Sequence, residues 1–186
     1  DAVMQRVGED VQQGHRNSNM APEDGMPTCE CPECQRASLR FTDGFAADRH
    51  GNYTPEYLTN QEWFFFVKGV LDATAKRYPG HFISTNGYAN RYIPPEVPAG
   101  FNKDKNLVVM FADILACTIH GYGDPQCGQM HQQYNLLKQW AKISDKVWVY
   151  NYNYTMLVSK GTLTPMTRRV KRSIPLAKAA GIIGYL

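Results

Sequence analysis

A chain of 186 residues, 43% hydrophobic and 20% charged, is long enough to bury one substantial core and is not composed like a disordered chain. Its formal net charge of +3 is spread along the chain. The densest basic run, Arg168-Arg169-Val170-Lys171-Arg172, reads as a solvated helix face and not as a nucleic-acid footprint. No apolar run reaches the length of a bilayer span and no signal-peptide pattern is present, so neither nucleic acid nor a membrane is expected as a partner.

Val3, Val7 and Val11 recur at helical spacing and the segment closes near Gly14, which predicts a short amphipathic helix. Arg16 to Ala21 reads as a brief strand running into the turn Pro22-Glu23-Asp24-Gly25. From Met26 to about Leu58 the chain is rich in Cys, Gly, Asp and Pro, and a loop of that length is usually functional or cross-linked. Thr59-Asn60-Gln61-Glu62 is a capping box that opens a helix. Its apolar stripe is Trp63, Phe66, Val67, Val70 and Leu71, and Pro79-Gly80 stops it.

His81 to Tyr88 is a strand, followed by the Pro-rich connection Ile93 to Pro98. Leu107-Val108-Val109-Met110-Phe111-Ala112 is a near-continuous apolar run, as expected of a strand buried on both faces. A helix from about Cys127 to Ile143 carries Tyr134, Leu137, Trp140 and Ala141 at helical spacing, and Lys146 to Asn151 is the next strand. Thr164-Pro165 reads as a helix start, Pro175 should kink or restart that helix, and Gly181 to Leu186 begins a final strand.

Strands alternating with helices argue for a parallel α/β sheet. The count is about five strands, where a closed barrel has eight, and an open doubly wound sheet is the alternative. No G-x-G-x-x-G and no G-K-[ST] follows any strand, which weakens the nucleotide-binding version of that alternative.

Met20-Ala21-Pro22-Glu23-Asp24-Gly25 followed by Cys29-Glu30-Cys31-Pro32-Glu33-Cys34 resembles the bacterial family catalogued as domain of unknown function 4838, with its Pro-x-Asp strand end and C-x-C-x-x-C cluster. The aromatic helix Trp63-Phe64-Phe65-Phe66-Val67, the strand ending in Tyr88, and Val108-Val109-Met110 leading to Cys117-Thr118-Ile119-His120 agree in the same order. So do Cys127, Trp140, Val147-Trp148-Val149-Tyr150 and Gly181-Ile182-Ile183-Gly184. The resemblance covers nearly the whole chain. It implies a TIM-type (β/α) barrel similar to those of α-glucuronidases and hexosaminidases, in secreted or periplasmic proteins that act on glycans. The expected organisation is a single domain over 1–186, a partial barrel of about five parallel strands with a long Cys-rich loop at 26–58.

In such barrels the working residues sit at the carboxyl ends of the strands. Those positions are Glu23 and Asp24, then Tyr88 and Asn90, then Asp113, then Asn151 and Tyr152. Glycoside hydrolysis needs two carboxylates, one protonated acid and one nucleophile or base. Glu23 and Asp24 are the first candidates and Asp113 the second, while the plainer reading of Asp24 is that it caps the turn before Gly25. Tyr88, Asn90, Asn151 and Tyr152 are the candidate substrate contacts. Tyr88, Tyr92, Tyr150, Tyr152 and Tyr154 gather near strand ends, where an aromatic face can stack on a sugar ring, although core packing suits any single one of them as well.

Cys29, Cys31, Cys34, Cys117 and Cys127 admit two main readings, with free thiols as the remainder. One is a closed structural zinc site of Cys29, Cys31 and Cys34 with His120 or Cys117; the other is two disulfides among the five. Zinc would be structural, and the proposed hydrolysis requires no cofactor. His15, His50, His81 and His131 show no ligand spacing and read as surface or capping residues. Three functions compete: a glycoside-hydrolase-like enzyme using strand-end carboxylates, a non-catalytic carbohydrate-binding module, and a structural barrel fragment of a larger secreted protein. Carbohydrate is the expected partner. Five strands leave two sheet edges, which self-association, covering loops or the remainder of a larger chain would satisfy.

Overall fold

The computed structural model describes residues 2–21, 29, 31–33, 55–88, 91–95, 101, 103–113, 116–151 and 166–186, with side chains from 63 onward in the second helix. The elements follow in the order α1 (Ala2–Gln12), β1 (Asn17–Asn19), α2 (Pro55–Arg77), β2 (Phe82–Gly87), β3 (Leu107–Ala112), α3 (Gly128–Ile143), β4 (Lys146–Tyr150), α4 (Thr167–Ala179) and β5 (Gly184–Tyr185).

The five strands form one sheet in the spatial order β1-β2-β3-β4-β5, and every neighbouring pair is parallel. Ser18 stands beside Ile83, Thr85 beside Val109, Phe111 beside Val149, and Val149 beside Tyr185. The sheet is open, with β1 and β5 at its edges among the described residues. Spatial order never departs from chain order, so there is no point at which the winding reverses, as there is in a doubly wound sheet.

Alternation along the strands decides where the core lies. Ile83, Leu107, Val109, Phe111, Val147 and Val149 are fully buried and belong to one cluster with Val7 of α1, Phe64, Val67 and Leu71 of α2, Met130, Leu137 and Trp140 of α3, and Ala177 of α4. All four helices therefore pack on the same face. Gly87 lies where Trp140 crosses β2, and a Cβ there would come within 2.8 Å of the indole.

The opposite face is covered much less. Val108 and Trp148 are half-buried, and Met110 and Tyr150 are exposed. The apolar run of β3 thus predicted too much: its helix side is wholly buried, but on the other face only Ala112 is buried, while Val108 is half-buried and Met110 exposed. An uninterrupted run of apolar residues reports that both faces avoid water somewhere, but not that this chain supplies both covers.

β1 and β5 are shorter than expected, and α2 and α4 depart from expectation in other ways. α2 begins at Pro55, one turn before the capping box, with proline at its first helical position where the missing N–H costs nothing. Its buried stripe is Phe64, Val67, Leu71 and Thr74; Phe66, assigned to the stripe, is exposed. Consecutive aromatics at 64, 65 and 66 leave the orientation of the helix open to a rotation of one residue, and Phe64 is the one that enters the core. α4 runs through Pro175 as one element, with no restart.

Two polar assignments also change. Arg169, in the run read as a solvated face, is buried, and Arg169, Ser173 and Ala177 form the inward stripe of α4. His81 is buried too, and its Nε2 lies 2.9 Å from Ser18 Oγ, which donates to Asp10 Oδ2 at 2.6 Å. The hydroxyl, not the imidazole, is central in that chain, and it ties α1 to the amino ends of β1 and β2.

Candidate functional site

Tyr88, Asp113 and Asn151 each stand one residue beyond the carboxyl end of a strand, β2, β3 and β4 respectively. Parallel pairing brings the three ends to one edge of the sheet. Strand alternation then separates them. Asp113 and Asn151 continue the series Leu107-Val109-Phe111 and Val147-Val149 on the helix side, whereas Tyr88 continues Ser84-Asn86 on the bare side. Glu23, Asp24, Asn90 and Tyr152 lie outside the described residues.

Asp113 is the centre of a buried polar cluster. Its Oδ2 accepts from the Tyr122 hydroxyl at 2.6 Å, from Asn151 Nδ2 at 3.0 Å and from Arg169 Nη2 at 3.0 Å. The carboxylate and the guanidinium are both almost fully enclosed, at 0% and 2% side-chain exposure. Asn151 Nδ2 also donates to the Tyr185 hydroxyl, and Ser173 Oγ accepts the Tyr122 backbone N–H at 3.2 Å. Asn151 Oδ1 and Arg169 Nε have no hydrogen-bond partner among the described residues.

This cluster draws together β3, β4, β5, α4 and the loop between β3 and α3. Burial, reinforced by the Asp113 charge, holds the Tyr122 phenol well above its ordinary range and pushes Tyr185 up to about 12. Both phenols are therefore neutral at physiological pH. A carboxylate with three donors on one oxygen, closed off from solvent and paired with arginine, positions its neighbours. Asp113 in this arrangement ties the ends of β3 and β4 to α4.

Of the candidate tyrosines, Tyr92 is a core residue. Its ring lies 4.9 Å from that of Phe111, its hydroxyl is bonded to Gln133, and its carbonyl accepts from Trp140 Nε1 at 3.2 Å. Tyr150 is exposed on the bare face. There the side-chain oxygen Oδ1 of Asn86 is enclosed without a partner among the described residues, beside Met110 in the register. On the helix side of the same strand, Trp63 Nε1 donates to Thr85 Oγ1 at 3.2 Å and the Arg91 guanidinium sits 5.0 Å above the Trp63 ring.

The second constellation lies in the β3–α3 loop. Cys117, His120 and Cys127 bring their ligand atoms within 4.8 Å of one another. Cys117 Sγ is 3.4 Å from His120 Nδ1 and accepts the Ile119 backbone N–H at 3.4 Å. Burial raises the Cys117 thiol, but hydrogen bonds from the backbone at His120 and Ile119, and from the His120 and Cys127 side chains, outweigh it and bring the group down to about 7. Among the described residues no disulfide joins Cys29, Cys31, Cys117 or Cys127. The structure thus groups His120 with Cys117 and Cys127, where the sequence grouped it with Cys29, Cys31 and Cys34; Cys34 lies outside the described residues. The C-x-x-H step at 117–120 was the signal for this grouping, and the denser cysteine run masked it.

Among the described residues, parallel strands in chain order, helices on one side and polar groups at the carboxyl ends define an α/β protein with an open five-stranded parallel sheet. The chain matches, over residues 1–186, the family described as Domain of unknown function (DUF4838), and it belongs to that family. No curated protein and no solved structure matches it.

Proposed function

We propose that the chain is a five-stranded sector of a TIM-type (β/α) barrel and serves as the glycan-handling part of a secreted or periplasmic glycoside-hydrolase-like protein. The observation that carries the reading is the one-sided sheet. Sequential parallel strands with every helix on one face are what a barrel wall looks like when opened out, and the sparsely covered face with Met110, Trp148 and Tyr150 then corresponds to the barrel interior. Further strands would complete that interior, and the substrate would approach the carboxyl rim on the side to which Tyr88 belongs.

In this proposal Glu23, Asp24 or both project into the cleft as acid or nucleophile, Tyr88, Asn90 and Tyr152 contact the sugar, and Asp113 and Asn151 hold the strand ends in register. Hydrolysis of aryl glycosides of uronic acids and amino sugars by the full-length protein tests it. Glu23→Gln or Asp24→Asn should lower kcat by about 10²–10⁴-fold, the usual worth of a positioned proton-transfer group. Unchanged turnover in both variants refutes the assignment.

The burial of Asp113 favours a second reading, a non-catalytic carbohydrate-binding wall. The one candidate carboxylate among the described residues is taken up by Arg169. Glycan binding that is lost in Tyr88→Ala, with no turnover in the unsubstituted protein, would select that reading.

A further inference from the structure

We infer that Cys117, His120 and Cys127 form a zinc site, built within the β3–α3 loop. Zinc takes thiolate sulfur at about 2.3 Å and imidazole nitrogen at about 2.0–2.1 Å in a tetrahedron, which sets the sulfur–nitrogen edge at about 3.6 Å and the sulfur–sulfur edge at about 3.8 Å. Cys117 Sγ and His120 Nδ1 stand 3.4 Å apart, and all three ligand atoms fall within 4.8 Å. The Cys117–His120 edge is therefore already close to the length that the ion requires, and the edges to Cys127 need shorten by no more than about 1.2 Å.

The loop is shaped to keep them there. Cys-x-x-His places the first two ligands on one short turn, and the Ile119 N–H donated to Cys117 Sγ gives the sulfur an outer hydrogen bond of the kind that orients metal ligands. Cys127 is the N-cap residue of α3 and makes no side-chain capping bond, so its sulfur is not committed to the helix end. Between the ligands, Arg172 binds the carbonyls of Tyr122 and Gly123 at 3.3 Å each, and the Gly123 N–H reaches the carbonyl of Met130 at 3.2 Å. Below, the Cys117 N–H points at Met130 Sδ, 3.2 Å away. A disulfide between Cys117 and Cys127 would leave the imidazole beside Cys117 without a role; a soft divalent ion uses all three groups. Three ligands from the described residues leave one tetrahedral position for a further ligand, and holding the three together closes the loop that delivers Tyr122 to Asp113.

Zinc content and affinity of the full chain, prepared under reducing conditions, test the site. One zinc per chain is expected. Losing an outer-shell partner costs about 10–100-fold in affinity, so Cys117→Ser and Cys127→Ser, which remove ligands, should each weaken binding by more than about 100-fold. His120→Cys should retain zinc where His120→Ala loses it, a rescue that a fold defect would not give. Cobalt in place of zinc should show a tetrahedral spectrum whose sulfur-to-metal band grows in His120→Cys. Zinc retained in full by the Cys117→Ser, Cys127→Ser double variant would move the metal to Cys29, Cys31 and Cys34 and overturn the assignment. So would an absence of zinc binding, or a Cys117–Cys127 disulfide in the protein as isolated.

Discussion

The two faces of the sheet differ sharply in how much of each is buried. On one, Leu107, Val109 and Phe111 are wholly buried under α2 and α3; on the other, Met110 of the same strand is open to solvent. The helix side extends past the strand ends into the Asp113 cluster, while the bare side ends near Tyr88 with an amide oxygen on Asn86 that has no partner among the described residues. Among the described residues, burial is thus concentrated on one face of the sheet. That division of labour teaches which strand-end residue to substitute when asking about folding and which when asking about a ligand.

The sharpest break would come at Asp113. Asp113→Ala leaves the Arg169 charge buried and unpaired, and should lower the unfolding free energy by about 3–5 kcal/mol in denaturant titration. Replacing both together, as Asp113→Leu with Arg169→Met, should recover most of that loss. A cost under about 1 kcal/mol for the single change would mean that the cluster does not hold the strand ends. Within β3 the contrast can be measured between neighbours. Phe111→Ala should cost about 3–5 kcal/mol and Met110→Ala less than about 1 kcal/mol, and equal costs would erase the distinction between the faces.

A smaller effect follows from Tyr185. Its phenol keeps its proton up to about 12 in the folded chain, whereas an unfolded chain releases it near 10. Between those values the folded form binds more protons, so this contribution is intact below pH 10 and fades as pH rises toward 12. Stability followed over that window should fall more steeply in the parent than in Tyr185→Phe, which keeps only the contributions of its other raised phenols, Tyr122 among them.

Much of this was legible in the amino-acid string. The strand at Leu107–Ala112 was found at its true limits, and α1, β2, α3 and β4 within a residue or two at each end, because periodicity and glycine or proline stops are local signals. Parallel pairing followed from the alternation of strands and helices. What could not be read was partnership across distance. Arg169 sits in a run of like charges, and nothing near it announces that Asp113, 56 residues earlier, will take it inside. The facing of Phe64 over Phe66 was equally hidden, since neighbouring aromatics differ only in what they happen to meet. At the cysteines the local density of Cys29, Cys31 and Cys34 drew attention from the sparser trio that the loop gathers.

The unbroken agreement between spatial and chain order bears on how the molecule comes into being. Each strand needs only the one made before it as a template, so a growing polypeptide can lay down the wall by successive accretion, and no early segment waits for a late one to fill a gap beside it. The same property makes the wall divisible: removing the last strand and its helix uncovers β4 as the new margin without unthreading anything within.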